Sequence, residues 1–182
     1  MASKDVSHTL WLQSVIGKDL MDGEARELFM ISRRELYKKG EKLFEEGEDP
    51  VALFLLAEGT VEIQKKIGHS GHTTALASLS AGSIVGEMSL LTKDKRSAAA
   101  VVTTNTAMAL RVSWKELEEL LAQNPAVAYK FMYALSRVIA TRLRNINSRL
   151  AEMADRNLNN APHEQIEEFQ SFKKKLFSDW SF

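Results

Sequence analysis

The chain of 182 residues contains no cysteine. That removes disulfides, thiolate nucleophiles and cysteine-ligated zinc together, and it fits a reducing, cytoplasmic setting. A charge excess is missing too: 24 basic residues face 24 acidic ones, so no net field draws the molecule to nucleic acid or to an anionic membrane. No apolar run approaches the roughly twenty residues needed to cross a bilayer, and the first residues lack a basic stretch leading into an apolar core. Histidine is scarce, at 4, and His69 and His72 fall in a glycine-flanked turn, Gly68 to His72, with no third inward ligand for a metal. The acidic group Glu45, Glu46, Glu48 and Asp49 lacks the spacing of a calcium loop. The nucleophile elbow, the phosphate loop and the dinucleotide fingerprint are all absent. We expect no enzyme, no metal, no cofactor and no membrane contact.

What is present is a change of period along the chain. From Thr9 to Ile31 the residues Leu10, Trp11, Val15, Leu20, Leu28 and Phe29 fall at helical spacings, with Asp22 placed to cap the second of two short helices. From about Glu35 to Val112 the spacing predicts short strands between glycine turns, at Leu53 to Ala57, Thr60 to Lys66, Thr73 to Leu79, Ala98 to Val102 and Thr106 to Val112. Many short strands at this spacing predict a sandwich or jelly-roll barrel. Helix returns after Ser113, an N-cap with Glu116 three residues on, and Pro125 opens a second, much longer helix reaching Arg156. Its stripe Met132, Leu135, Ile139, Leu143, Ile146, Leu150 and Met153 steps by three and four, as in a coiled-coil seam. The first half has a barrel to pack on. A small barrel is too short to cover the second half, which predicts a two-fold homodimer through this helix.

The most informative segment lies between the two regimes. Gly82-Ser83-Ile84-Val85-Gly86-Glu87-Met88-Ser89-Leu90-Leu91 is followed by Arg96-Ser97-Ala98. Gly86 lets main chain approach a ligand closely, and a helical turn starting near Glu87 directs unpaired N–H groups outward, where a phosphate accepts them. Arg96 offers a planar fork of donors and Ser97 one more. Glu87 repels phosphate, so its task is to accept a hydrogen bond from a neighbouring sugar hydroxyl.

This segment resembles the phosphate-binding cassette of the cyclic nucleotide-binding domain family. The likeness extends upstream to Lys39 through Glu48 and to Leu53 through Ile63, and covers about residues 25 to 156. Val85 stands where many members have Phe, and Ser83 where Asp is common. The resemblance implies a mainly β protein with flanking helices: a jelly-roll (double-stranded β-helix) barrel with N-terminal helices and a long C-terminal dimerisation helix. It implies a ligand, cyclic AMP more than cyclic GMP, whose phosphate meets Gly86, Met88, Ser89, Arg96 and Ser97 and whose ribose 2′-hydroxyl meets Glu87. Aligned on the catabolite activator branch, Arg142 falls near the ligand and Asn147 near the base. Arg142 reads equally well as a solvated side chain, and Asn147 as a plain surface amide able to pair with either purine edge.

The expected organisation is an N-terminal helical segment at 1–32, the roll at 33–124, the long helix at 125–156, and a linker with an amphipathic tail helix at 157–182. The tail, with Phe169, Phe172, Phe177, Trp180 and Phe182, is either an output surface or ordinary packing, and it is too short for a helix-turn-helix, so no DNA contact is expected. The expected function is a non-catalytic regulatory sensor signalling through its long helix to a second copy or an unidentified protein partner. The alternative is a roll that binds no ligand and serves only as an interaction scaffold.

Overall fold

One apolar run explains the architecture. Ala52-Leu53-Phe54-Leu55-Leu56 is buried at every position, which a strand achieves only when both faces are covered. The computed structural model describes residues 8–67 and 72–158. Among them, eight strands form two sheets: β1 Ser32–Lys38, β2 Lys42–Phe44, β3 Ala52–Glu58, β4 Thr60–Ile67, β5 His72–Ser80, β6 Ile84–Val85, β7 Ala99–Val102 and β8 Thr106–Ser113. The orders are β1-β8-β3-β6 and β2-β7-β4-β5, and every pairing is antiparallel. This is a jelly-roll barrel with flanking helices.

The run in β3 serves two cores. Alternate residues Ala52, Phe54 and Leu56 join Leu43, Phe44, Val61, Val85, Ala100, Val102, Ala107 and Ala109 between the sheets, inside the roll. Leu53 and Leu55 turn the other way, with Ile84, Leu110 and Val112, onto the helices. Those helices are α1 Thr9–Leu12, α2 Asp22–Met30, α3 Glu87–Thr92, α4 Trp114–Gln123 and α5 Pro125–Leu158, with a 3₁₀ turn at Gly17–Asp19. Trp11, Leu28, Leu117, Phe131 and Leu135 fill this second core. Ion pairs secure the N-terminal segment to α5, from Arg137 to Asp19 at 2.6 Å and from Lys130 to Glu24 at 2.7 Å.

The structure adds three strands to the five expected, β1, β2 and β6, and changes one cap. Asp22 is the first residue of α2, not its cap; Met21 holds that place and donates its N–H to the Glu24 carboxylate at 2.7 Å. Asp22 pairs instead with Arg26 and His8. The Arg26 and His8 hydrogen bonds hold the Asp22 carboxyl below its ordinary pKa. Ser113 does precede α4, but its hydroxyl makes no capping bond, and the Trp114 N–H donates to the Val51 carbonyl at 3.0 Å. Pro125 opens α5 as expected.

The chain divides into two compact units, one ending at Ile139 and the other beginning at Ala140. In the first, α5 buries Val127, Phe131, Ala134 and Leu135 completely. In the second, Leu143 is 46% and Ile146 54% exposed, and Ala140, Leu143, Arg144, Asn147, Ser148 and Ala151 line a shallow depression along one helix face. The Leu150 and Met153 side chains, His69 and the tail from 159 to 182 lie outside what is described.

Candidate functional site

Between β6 and α3 the backbone reverses at Gly86, with φ +90° and ψ 13°, a left-handed conformation that glycine adopts without cost. The turn serves a close contact as well as a shape. A Cβ placed on Gly86 would stand 2.5 Å from Nη1 of Arg96, so the missing side chain is the space the guanidinium occupies. Nη1 donates to the Gly86 carbonyl at 3.0 Å and Nη2 to the Ala52 carbonyl at 2.5 Å. The guanidinium carbon lies 4.2 Å from the centre of the Phe44 ring, a cation–π placement, and Phe44 in turn packs on Phe54 with ring centres 5.9 Å apart. The main chain of Arg96 is pinned as well, its N–H to the Glu48 carbonyl at 2.9 Å and its carbonyl to the Gly47 N–H at 2.8 Å.

Arg96 is 3% exposed, and its Nε is buried without a hydrogen-bond partner. Burial pushes its pKa below the ordinary arginine value; Glu48 and Glu87 oppose that shift, and nearby Arg111 adds to it. The group remains a cation, since arginine does not deprotonate in proteins. An unbonded buried donor costs about 1–3 kcal/mol, more on a charged group, so the arrangement is poised for an anion. Two main-chain carbonyls take both terminal nitrogens, and Nε is left unbonded.

The sequence-selected residues separate into groups. Gly86, Glu87 and Arg96 come together, with Glu87 3% exposed at the first position of α3 and near enough to Arg96 to act on its charge. Ser89, 5% exposed, is on the same short helix, while Met88 is 55% exposed. Ser97 is exposed, and its carbonyl accepts Lys65 Nζ at 2.6 Å. Arg142, half-buried, and Asn147, exposed, belong to the second compact unit. Three contributors escaped the sequence reading: Phe44, the Ala52 carbonyl and Arg111. A carbonyl has no signature in a sequence, and an aromatic beside a leucine in a short strand reads as plain core. Among the described residues no group of three or more His, Asp or Glu could hold a metal ion, and no helix is long and apolar enough to cross a membrane.

Comparison with known proteins identifies the family and the fold. The family model described as "Cyclic nucleotide-binding domain" matches residues 34–124, the stretch that holds seven complete strands, the cassette and α4. The Anaerobic regulatory protein of Bacillus subtilis is 31% identical over 136 residues, 74% of this chain and 55% of that protein. The Cyclic AMP receptor protein of Thermus thermophilus is 34% identical over 119 residues, 65% of this chain and 52% of that one. The chain therefore spans about half the length of these curated relatives. A crystal structure of a cyclic nucleotide-binding domain from Methylobacillus flagellatus superposes with a TM-score of 0.73 at 27% identity, covering 80% of this chain and 83% of that one. A buried arginine under a left-handed glycine, held at the end of a jelly roll whose sequence matches the family model over half its length, places this chain in the cyclic nucleotide-binding domain family.

Proposed function

We propose that the chain is a non-catalytic cytoplasmic sensor of a cyclic mononucleotide, cyclic AMP in preference to cyclic GMP. The observation that carries this reading is the buried, unbonded Nε of Arg96. A guanidinium presents five N–H donors on two edges. With one edge tied to the Gly86 and Ala52 carbonyls, the edge carrying Nε is free to take two phosphate oxygens as a fork. The N–H groups of Met88 and Ser89 in the first turn of α3 add donors, and the Ser97 hydroxyl a further one. Glu87, an acceptor when ionised, receives the ribose 2′-hydroxyl, which makes the site selective for a ribonucleotide. By the family resemblance Arg142 and Asn147 are the candidates to read the base. A thermal-shift panel of cyclic AMP, cyclic GMP, a cyclic dinucleotide and linear 5′-AMP tests the assignment. At a hundredfold excess over the dissociation constant the true ligand stabilises by about 2.7 kcal/mol, or roughly 5–10 °C for a chain of this size. A flat response to every cyclic mononucleotide, with the fold intact, would leave only the ligand-free scaffold.

The signal leaves through α5. Leu143 and Ile146, at 46% and 54% exposed, belong to the sequence stripe that begins at Met132 and Leu135, and a second copy of the helix supplies the matching surface for an isologous dimer. Replacing Leu143 by Asp puts a charge into that seam. Sedimentation should then show a dimer for the parent chain and a monomer for L143D at the same concentration; an unchanged dimer places the interface elsewhere.

A further inference from the structure

Beside the cassette helix lies a cavity of about 220 Å³, lined by Pro50, Ala52, Ser89, Leu90, Lys93 and Trp114. Its walls come from the loop into β3, from α3 and from the first residue of α4. Three of the six residues carry side-chain hydrogen-bond donors: the hydroxyl of Ser89, a residue only 5% exposed, the indole N–H of the half-buried Trp114 and the ammonium of Lys93 at the exposed rim. All three residues line the same cavity. Lys93 also ends α3 at φ +59°, the one non-glycine residue at positive φ among those described. Glycine or asparagine holds such a position more cheaply, and backbone strain of this kind gathers at ligand sites.

We infer that this cavity is a second binding site, for a compact aromatic carboxylate. The lining is complementary to that class. Three donors, one of them a cation at the rim, match a ligand that brings acceptors and a negative charge. Pro50, Ala52, Leu90 and the face of Trp114 require an apolar body, and about 150 Å³ already accommodates a benzene ring. The carboxylate lies against Ser89, Lys93 and the Trp114 N–H, and the ring against Leu90 and Ala52. Occupancy is felt at the cassette by direct connection, because Ala52 forms a wall of the cavity and its carbonyl holds Nη2 of Arg96.

The test is a titration of the full chain with benzoate, followed by amide chemical shifts, with benzyl alcohol as the uncharged probe of the same shape. Benzoate should give saturable shifts in the millimolar range centred on Ser89, Leu90, Lys93 and Trp114. Benzyl alcohol should bind at least threefold more weakly, and Lys93→Gln should weaken benzoate by roughly threefold while leaving benzyl alcohol unchanged, the size expected of a partly exposed charge pair. Trp114→Phe, which keeps the ring and removes the N–H, should weaken benzoate in the same direction. Repeated with saturating cyclic AMP, the titration should still go to completion. Absence of saturation, equal binding of alcohol and carboxylate, an unchanged affinity in Lys93→Gln, or displacement by the nucleotide would each overturn the site. A chain that fails to bind cyclic AMP leaves the benzoate result readable, so the two readings fail separately.

Discussion

Arg96→Ala should weaken cyclic-nucleotide binding by at least about thirtyfold while the chain still folds. The guanidinium is the only arginine buried below a tenth of its surface among the described residues, and it meets the ligand in a desolvated setting. Charge-assisted hydrogen bonds contribute about 1.5–3 kcal/mol each, and truncating one partner of a buried charged pair costs about 2–5 kcal/mol, so the expected loss of affinity is on the order of thirtyfold to several thousandfold. Stability moves less, because opposing effects meet. The change leaves the Ala52 and Gly86 carbonyls without their donor and uncovers the Phe44 ring, which destabilises; it also removes a desolvated cation with one unbonded nitrogen, which stabilises. A melting temperature within a few degrees of the parent is the expected balance. Arg96→Lys sharpens the test, since an ammonium is a point charge that cannot reach both carbonyls and a phosphate at once. It should recover part of the affinity and little of the stability. Calorimetry showing parental affinity in Arg96→Ala would remove the phosphate from this site.

The parts of the fold that could be read from the chain are those where a pattern repeats. Val61 and Ile63 alternate with Glu62 and Gln64, and β4 runs there with Val61 wholly buried. The strand β1 escaped because it places Arg33, Arg34, Glu35 and Lys38 in seven residues, which reads as loop. It is an edge strand paired only with β8, with most of its residues in solvent, so charge is affordable there and keeps the edge from pairing with other chains. The strand β6 is two residues long, too short for any period. In the site, the short-range part was visible: Gly86, Glu87 and Arg96 lie within eleven positions of one another. The long-range part was not. Phe44 lies 52 positions before the arginine it supports and Ala52 lies 44 before it, and only the folded roll brings them to 4.2 Å and to hydrogen-bond distance. Asp22 misled for a local reason: the aspartate satisfied the cap rule by type, but Glu24, two residues on, reaches the Met21 N–H with a longer arm.

Gly86→Ala should disable the same site from the opposite side, by moving Arg96 rather than deleting it. Two costs add. At φ +90° an L-residue is strained, by about 1–3 kcal/mol, and the new Cβ would lie 2.5 Å from Nη1 and 3.2 Å from Cζ of Arg96. The tip of a long side chain normally yields, but this one is held by the Ala52 carbonyl on one side and the Phe44 ring on another. Displacing it breaks those contacts and turns the Nε edge away from the phosphate. Gly40→Ala is the matched control, since Gly40 has φ +85° with nothing within 4 Å of a Cβ, so it carries the backbone cost alone. Both variants should melt several degrees below the parent, Gly86→Ala the lower, and only Gly86→Ala should lose nucleotide affinity, by at least tenfold. The double variant separates strain from collision. Once Arg96 is already alanine there is nothing for the Cβ to strike, so adding Gly86→Ala should cost no more than Gly40→Ala, and the shortfall from additivity measures the contact between residue 86 and the guanidinium. Full additivity, or parental affinity in Gly86→Ala, would mean that Arg96 does not need the space this glycine leaves.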